Sequence, residues 1–362
     1  MTRNVARVSL ALALILCAAS AASAQTSWGI AVQPNGAIYF CDRGHTTVWR
    51  LAPDGQRTSV LDGVMCRAMV TGPDGTVYGE ATPTDVTAVR GVGLWQIDQA
   101  GARVWLMAPT RNPDPNLWLV HDRQGLQYVW TGVGAGSVRS EIVHRDPLGS
   151  TVVIAGAEWG QQDGVGRAAR LGNVAGMALA PDGSIVVADS GNVRRLSGLH
   201  VLRTEATGVV TDSHLGLINV PGLWGRELGV ATDASGAAVI VDPEAGRIVR
   251  VERTGGVTPL WEPTGFAQRI SGGRWGWRPN GVAMTGRAYY VLDEWMGPAL
   301  IADLIGSPRV SLVDAEGHVT RIAAVGDWTV RGASAALLIV ALSTLWMRRG
   351  RRATPSALRQ NS

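Results

Sequence analysis

The stretch Gly176–Asp189, GMALAPDGSIVVAD, reads as a short apolar run, a Pro-Asp-Gly turn and a second apolar run closed by an acid. Glycine in the turn supplies the positive φ that a tight hairpin connection needs, and the flanking runs are short and β-branched, so the stretch is a β-hairpin. The same plan recurs as GIAVQPNGAIYFCD (Gly29–Asp42) and GVATDASGAAVIVD (Gly229–Asp242). Looser copies are AMVTGPDGTVYGE (Ala68–Glu80), WLVHDRQGLQYVWT (Trp118–Thr131) and GVAMTGRAYYVLD (Gly281–Asp293). The turn glycines at 36, 75, 125, 183, 236 and 286 are 39, 50, 58, 53 and 50 residues apart, which is the period of propeller blades.

Behind each hairpin lie two more strand candidates, such as TTVWRL then RTSVL, or GRIVRV then GVTPLW. Each unit is therefore expected to be a four-stranded antiparallel sheet. One such sheet cannot bury both of its faces, whereas six arranged round an axis bury them against one another. The expected fold is an all-β, six-bladed β-propeller over residues 25–330. Abundant glycine (46 residues) and the lack of a long amphipathic period in the body argue against helical or βαβ architectures.

The two ends read as targeting segments. Arg3 and Arg7 precede an apolar stretch from Val8 to Ala19 and then Ala22-Ser23-Ala24, so residues 1–24 are expected to be a signal peptide. Cys17 falls in its apolar region, after a Leu16 too bulky for a lipoprotein site. Near the other end, 331–347 carries no charge beyond Arg331 and is otherwise mostly apolar, and it is followed by Arg348, Arg349, Arg351 and Arg352. This pattern is expected to be a single transmembrane helix, with 348–362 as a cytoplasmic Arg-rich tail and the propeller in the periplasm or outside the cell. A buried C-terminal helix is the alternative, and the block of arginines argues against it. An apolar stretch with terminal arginines also resembles bacterial C-terminal sorting tails.

Every one of the 33 basic residues is arginine. Two lie in the signal segment and five at or beyond Arg348, which leaves 26 against all 29 acids, so the ectodomain carries about −3 and offers no basic groove for nucleic acid. The expected partners are the membrane and an envelope protein or small-molecule ligand. Outside the signal segment only Cys41 and Cys66 remain. One closes the second strand of the first repeat and the other opens the first strand of the second, which suits a disulfide in an oxidising compartment, with two buried thiols as the alternative.

Ala155–Leu196, AGAEWGQQDGVGRAARLGNVAGMALAPDGSIVVADSGNVRRL, resembles an NHL repeat, with its Gly-rich DGxGxAAR lead, GxAxxPDG turn and VADSGNxRR close. Repeats one and five keep most of that core, and the others keep little beyond the strand rhythm. The resemblance implies the six-bladed propeller group that includes NHL, TolB-like and gluconolactonase-like proteins. Its members serve as binding modules, as extracellular sensors and, in some cases, as metal-dependent lyases.

Three connections between repeats are long: Ala155–Asn173, Glu205–Arg226 and Glu262–Pro279. All are expected to open on one face, the upper one, together with the ends of the second strands, and loops this long are often functional. Trp159, Trp224, Trp275 and Trp277 fall in them and Trp295 follows the second strand of the sixth repeat. Trp224, Trp275, Trp277 and Trp295 are therefore the candidate ligand-binding residues, with packing of the same rings against the propeller as the plainer alternative. Asp42, Glu80, Asp189, Asp242, Asp293 and Glu294 gather at the same edge. A ring of acids could hold Ca²⁺, although a repeated Asp most simply caps the turn that follows it.

The gluconolactonase-like resemblance implies a different set. Those propellers hold a divalent metal with Glu, Asn and Asp at the starts of inner strands. RPNGVAM is similar to their Asn-bearing segment, placing Asn280, and Glu227 is a second oxygen donor before LGVA. Ser27 and Trp28 stand where the first repeat would need an acid. The alternative function is then a divalent-metal-dependent hydrolase or lyase at the tunnel mouth. The six histidines show no HxH or HxxxH spacing, and no GxSxG elbow, Walker loop, CxxC pair or dinucleotide fingerprint is present.

Overall fold

The computed structural model describes residues 29–42, 46–72, 74–83, 93–108, 119–122, 124–134, 137–209, 228–243, 245–261, 276–285, 288–296, 308–314 and 318–324. Both end segments, and with them the signal-peptide, anchor and tail expectations, lie outside those residues. Among the described residues no helix is long and apolar enough to cross a membrane.

Six antiparallel sheets follow one another along the chain. Blade one holds β1 (Ile30–Val32), β2 (Ile38–Asp42), β3 (Thr47–Leu51) and β4 (Arg57–Asp62). Blade two holds β5 (Val64–Thr71), β6 (Val77–Pro83), β7 (Gly93–Ile97) and β8 (Arg103–Met107). Blade three is β9 (Leu119–Asp122), β10 (Gly125–Gly134), β11 (Ser137–Arg145) and β12 (Thr151–Glu158). Blade four begins with the short β13 (Gly164–Val165) and continues with β14 (Val174–Leu179), β15 (Ile185–Asp189), β16 (Asn192–Ser197) and β17 (Val201–Ala206). Blade five is β18 (Gly229–Thr232), β19 (Ala238–Asp242), β20 (Arg247–Val251) and β21 (Val257–Trp261). Blade six is β22 (Gly276–Thr285), β23 (Ala288–Met296), β24 (Arg309–Val313) and β25 (Val319–Ala324).

The ring closes on itself. Each innermost strand packs against the next in the order β1, β5, β9, β14, β18, β22, and β22 packs back on β1. Six apolar clusters fill the six gaps between blades. The second strands show how: Val187 joins Val120 and Ile142 of blade three, while its neighbours Val186 and Ala188 join Ile240 and Val249 of blade five. Both faces of the strand are covered, so IVVAD is buried throughout and the usual in-out alternation disappears from the sequence. The last gap is closed by Ile30 and Phe40 against Leu292 and Val310. Among the described residues every sheet is made from consecutive strands, so this closure relies on side-chain packing.

The inner strands lie so close that two glycines are required. A Cβ on Gly176 would fall 2.4 Å from the Leu228 carbonyl oxygen, and one on Gly229 would fall 2.9 Å from that of Asn280. These are aligned positions of successive repeats, so the inner strands run side by side with their starts at one edge, the upper one. Cys41 and Cys66 form a disulfide from β2 to β5, with a Cα–Cα distance of 5.6 Å, and so join blades one and two.

Two expectations change here. Blade four has five strands, because Gly164 and Val165 of the lead segment pair with Leu202 and Val201 at its outer edge. The second strand of blade two outruns its repeat, which ends at Glu80, since β6 continues to Pro83 and pairs with both β5 and β7.

Candidate functional site

In each blade the second strand ends, and the first and third begin, at the upper edge. The carboxylates there are buried: Asp42, Glu80 and Asp293 are 1 % exposed, Asp189 and Asp242 not at all. They do more than cap a turn. Asp189 takes a hydrogen bond from the Gly172 backbone N–H at 3.0 Å and one from the Ser190 hydroxyl, and it pairs with the Arg194 guanidinium at 2.6 Å. Asp242 accepts the Ala245 N–H and faces Arg247 at 3.8 Å. Asp293 accepts Arg309 Nε at 3.0 Å and the Ser311 hydroxyl at 3.1 Å. Asp42 accepts the Trp49 indole N–H at 3.2 Å. Apart from Gly172, which lies just before β14, the partners sit on the third strand of the same blade or in the turn leading to it, so the acid locks its own sheet edge. Burial pushes the Asp189 and Asp293 carboxyls above the usual range, and their arginines oppose that rise.

Arg194 extends the lock to the lead segment. It also donates to the carbonyls of Arg170 and Gln162, each at 2.7 Å, and to Asp163 at 3.0 Å. Asp163 in turn accepts the backbone N–H and hydroxyl of Thr204. Of Ala155–Asn173, expected as an open loop, Ala155–Glu158 complete β12 of blade three and the rest is a folded strap on blade four, carrying β13, a 3₁₀ turn at Gly166–Ala168 and a bridge between Gln162 and Arg170. The following Arg195 donates to the Gly236 carbonyl at 2.7 Å and so ties blade four to the turn of blade five. The paired arginines of VADSGNVRR are structural cross-links, one to each side.

Blade six is built differently. Trp277 was expected in a loop and Trp295 after a strand, but Trp277 lies in β22 and Trp295 in β23, with their Cα atoms paired in register. The first hairpin of the blade simply continues upward past the neighbouring sheets. The Arg309 guanidinium lies 3.7 Å from the centre of the Trp277 ring, so that partly buried ring packs in a cation–π stack within its blade. Trp224, Trp275 and Glu227 lie outside the described residues. Trp159 is 42 % exposed just past β12.

A bulge between Pro279 and Gly281 leaves Asn280 out of the ladder, and its side chain is fully buried. The amide donates through Nδ2 to Glu294 Oε2 at 3.1 Å, while its Oδ1 has no hydrogen-bond partner among the described residues. Repeats four and five put Ala175 and Leu228 at the aligned position, so neither of those blades carries this polar group. An orphaned buried amide oxygen beside a carboxylate is a donor pair that a hard cation takes, and Asn280 and Glu294 would hold one. Among the described residues no three His, Cys, Asp or Glu side chains converge as a metal site. The Asn280–Glu294 contact was not foreseen from sequence, because Glu294 is placed by register across a bulge that no motif announces. Glu141 was also missed: it is 6 % exposed on β11 and its carboxylate lies 3.3 Å from Arg167 of the strap.

No protein-family model matches the chain, and no curated protein does. Solved structures are similar in fold. The virginiamycin B lyase of Staphylococcus aureus is 14 % identical with a TM-score of 0.44, over 83 % of this chain and 85 % of that one. A gluconolactonase of Xanthomonas campestris is 14 % identical with a TM-score of 0.49, over 76 % and 85 %. The calcium-binding protein regucalcin of Agrobacterium tumefaciens is 16 % identical with a TM-score of 0.47, over 74 % and 81 %. The chain is a six-bladed β-propeller on its own topology.

Proposed function

We propose that this chain is a membrane-anchored, extracytoplasmic β-propeller that binds a protein or a carbohydrate on its upper face. One observation carries the reading: the upper-edge acids Asp42, Asp189, Asp242 and Asp293 are spent on partners within their own blades. They make a rigid rim and leave recognition to the connections that rise from it. A rigid scaffold carrying variable loops is how binding surfaces are commonly built. The test is the melting temperature of the purified chain, first with excess chelator and then with Ca²⁺ restored. A ligand that binds only the folded state stabilises it by mass action. A melt unchanged by chelator, with stabilisation by members of an oligosaccharide and peptide panel, is the expected result. A reversible drop of several degrees with chelator would overturn the binding reading.

The second reading is a divalent-metal-dependent hydrolase or lyase, and the orphaned Asn280 oxygen next to Glu294 favours it. A bound divalent ion would supply Lewis-acid polarisation of a carbonyl or activation of a water. The chain's own part would be to orient the Asn280 amide through its Nδ2 bond to Glu294 and to exclude solvent from both groups. Metal content of the Asn280→Ala variant decides it, since full retention of ion would end this reading.

A further inference from the structure

We propose that the upper face is held against the membrane and rests on its lipid headgroups. The inference depends on the membrane-anchored reading above and adds the orientation and the partner. Its starting point is a row of paired residues across blade six. Pro279 is opposite Asp293, Asp293 opposite Arg309, and Arg309 opposite Ala324. Ala324, the last residue of β25, therefore lies on the same edge as the buried acids, and the chain leaves the propeller upward.

The transmembrane segment expected from the sequence begins at 331, seven residues further on. Seven residues reach at most about 25 Å even when fully extended. The upper rim of blade six is thus tied within about 25 Å of the bilayer surface, while the turn glycines 36, 75, 183 and 236 are at the far end of the blades. A folded partner of 100 residues has a radius of gyration of about 13 Å, so a gap of this size leaves little room for one between the rim and the membrane. The lipid surface itself is the occupant that the tether brings into contact.

The upper edge carries a side chain suited to that contact. Glu158 is opposite Arg139 at the top of blade three, and Trp159 follows it with 42 % of its surface exposed. Arg139 and Arg170 beside it are about half exposed. Tryptophan favours the headgroup level of a bilayer, where its ring is partly apolar and its N–H meets water, and arginine stems lie along the same boundary. Leu148, 93 % exposed, marks the opposite end of β12 in the same blade.

The test uses the full chain reconstituted into vesicles of phosphatidylethanolamine and phosphatidylglycerol that contain a headgroup-nitroxide lipid. A fluorophore is attached at Gln161→Cys on the upper edge or at Leu148→Cys on the lower one, the native pair Cys41–Cys66 being closed. Quenching severalfold stronger at 161 than at 148 is expected, and Trp159→Ala should reduce it severalfold. Flotation with vesicles but equal quenching at the two positions, or stronger quenching at 148, overturns the orientation and leaves the anchor standing. Failure to float overturns the anchor and the orientation together. Unchanged quenching in Trp159→Ala would overturn the lipid contact through that ring.

Discussion

Replacing Arg194 by Met should cost this propeller about 3–5 kcal/mol, the range for breaking a buried ion pair from one side. The side chain is 2 % exposed and its partner Asp189 is fully buried. With the guanidinium gone, Asp189 keeps only the Gly172 N–H and the Ser190 hydroxyl. The carbonyls of Gln162 and Arg170 each lose one of two donors and keep the backbone bond that joins the two residues. At roughly 2–3 °C per kcal/mol for a large domain, the melting temperature should fall by roughly 6–15 °C. The loss should be largest at neutral pH. Burial already raises the Asp189 carboxyl above its ordinary 3.8, and removing Arg194 takes away its main opposition. A carboxyl with a raised folded-state value holds its proton when the unfolded chain has released it, so stability falls as pH rises above about 3.8. The deficit of the variant should therefore shrink as pH is lowered towards 4. Denaturant unfolding at two pH values, with hydrogen exchange on residues 160–172, reads both effects. The double variant Asp189→Asn, Arg194→Met should recover about 1–2 kcal/mol relative to additivity, because no buried charge is left unpaired. A single-variant loss below about 1 kcal/mol, the worth of an exposed pair, would refute the argument, as would strict additivity.

Reducing the Cys41–Cys66 bond, or replacing both residues by Ser, should destabilise by about 3–4 kcal/mol on the loop-entropy model for a separation of 25 residues, read as a shift of the urea midpoint. An unchanged midpoint would mean that blades one and two need no covalent link. Trp277→Ala should lower the melting temperature by several degrees, because it removes a half-buried ring and the support of Arg309. Lost ligand capture with an unaltered melt would show the ring to be a contact residue instead. Asp182 in the blade-four turn is held down from 3.8 to about 2 by the Ser184 hydroxyl bond, aided by the Ser184 N–H and Arg253. A depressed carboxyl contributes stability that is complete above about 4 and is lost as pH falls through about 2. Asp182→Asn should accordingly flatten the acid limb of the stability curve in that window, and an unchanged limb would count against the assignment.

The repeats carried most of the architecture. Apolar runs around turns at Asn35-Gly36, Asp182-Gly183 and Ser235-Gly236 encode hairpins locally, and their recurrence leaves a ring of stacked sheets as the way to bury them. The covering of both blade faces is visible in IYFCD, IVVAD and AVIVD, where polar alternation is missing. The roles of individual side chains were less accessible. Asp189 and Asp242 looked like turn caps because the residues after them are turn formers. Whether such an acid instead meets an arginine depends on which way the third strand points its side chains. Trp277 looked like a loop residue because its neighbours Gly276, Arg278 and Pro279 suggest no strand. Its place in β22 is fixed by pairing with β23, a partner some eighteen residues away.

What the sequence determined by itself was the set of short-range facts: hairpin turns, strand period, repeat number and the charge of the body, since each is written in residues close together in the chain. Only the tertiary structure decided that Arg194 closes the strap over blade four, that Arg309 covers Trp277 and that Asn280 keeps a buried oxygen without a partner. These contacts join residues 5 to 32 positions apart across strand registers and a bulge, and their existence depends on the direction of each side chain once the sheet is formed.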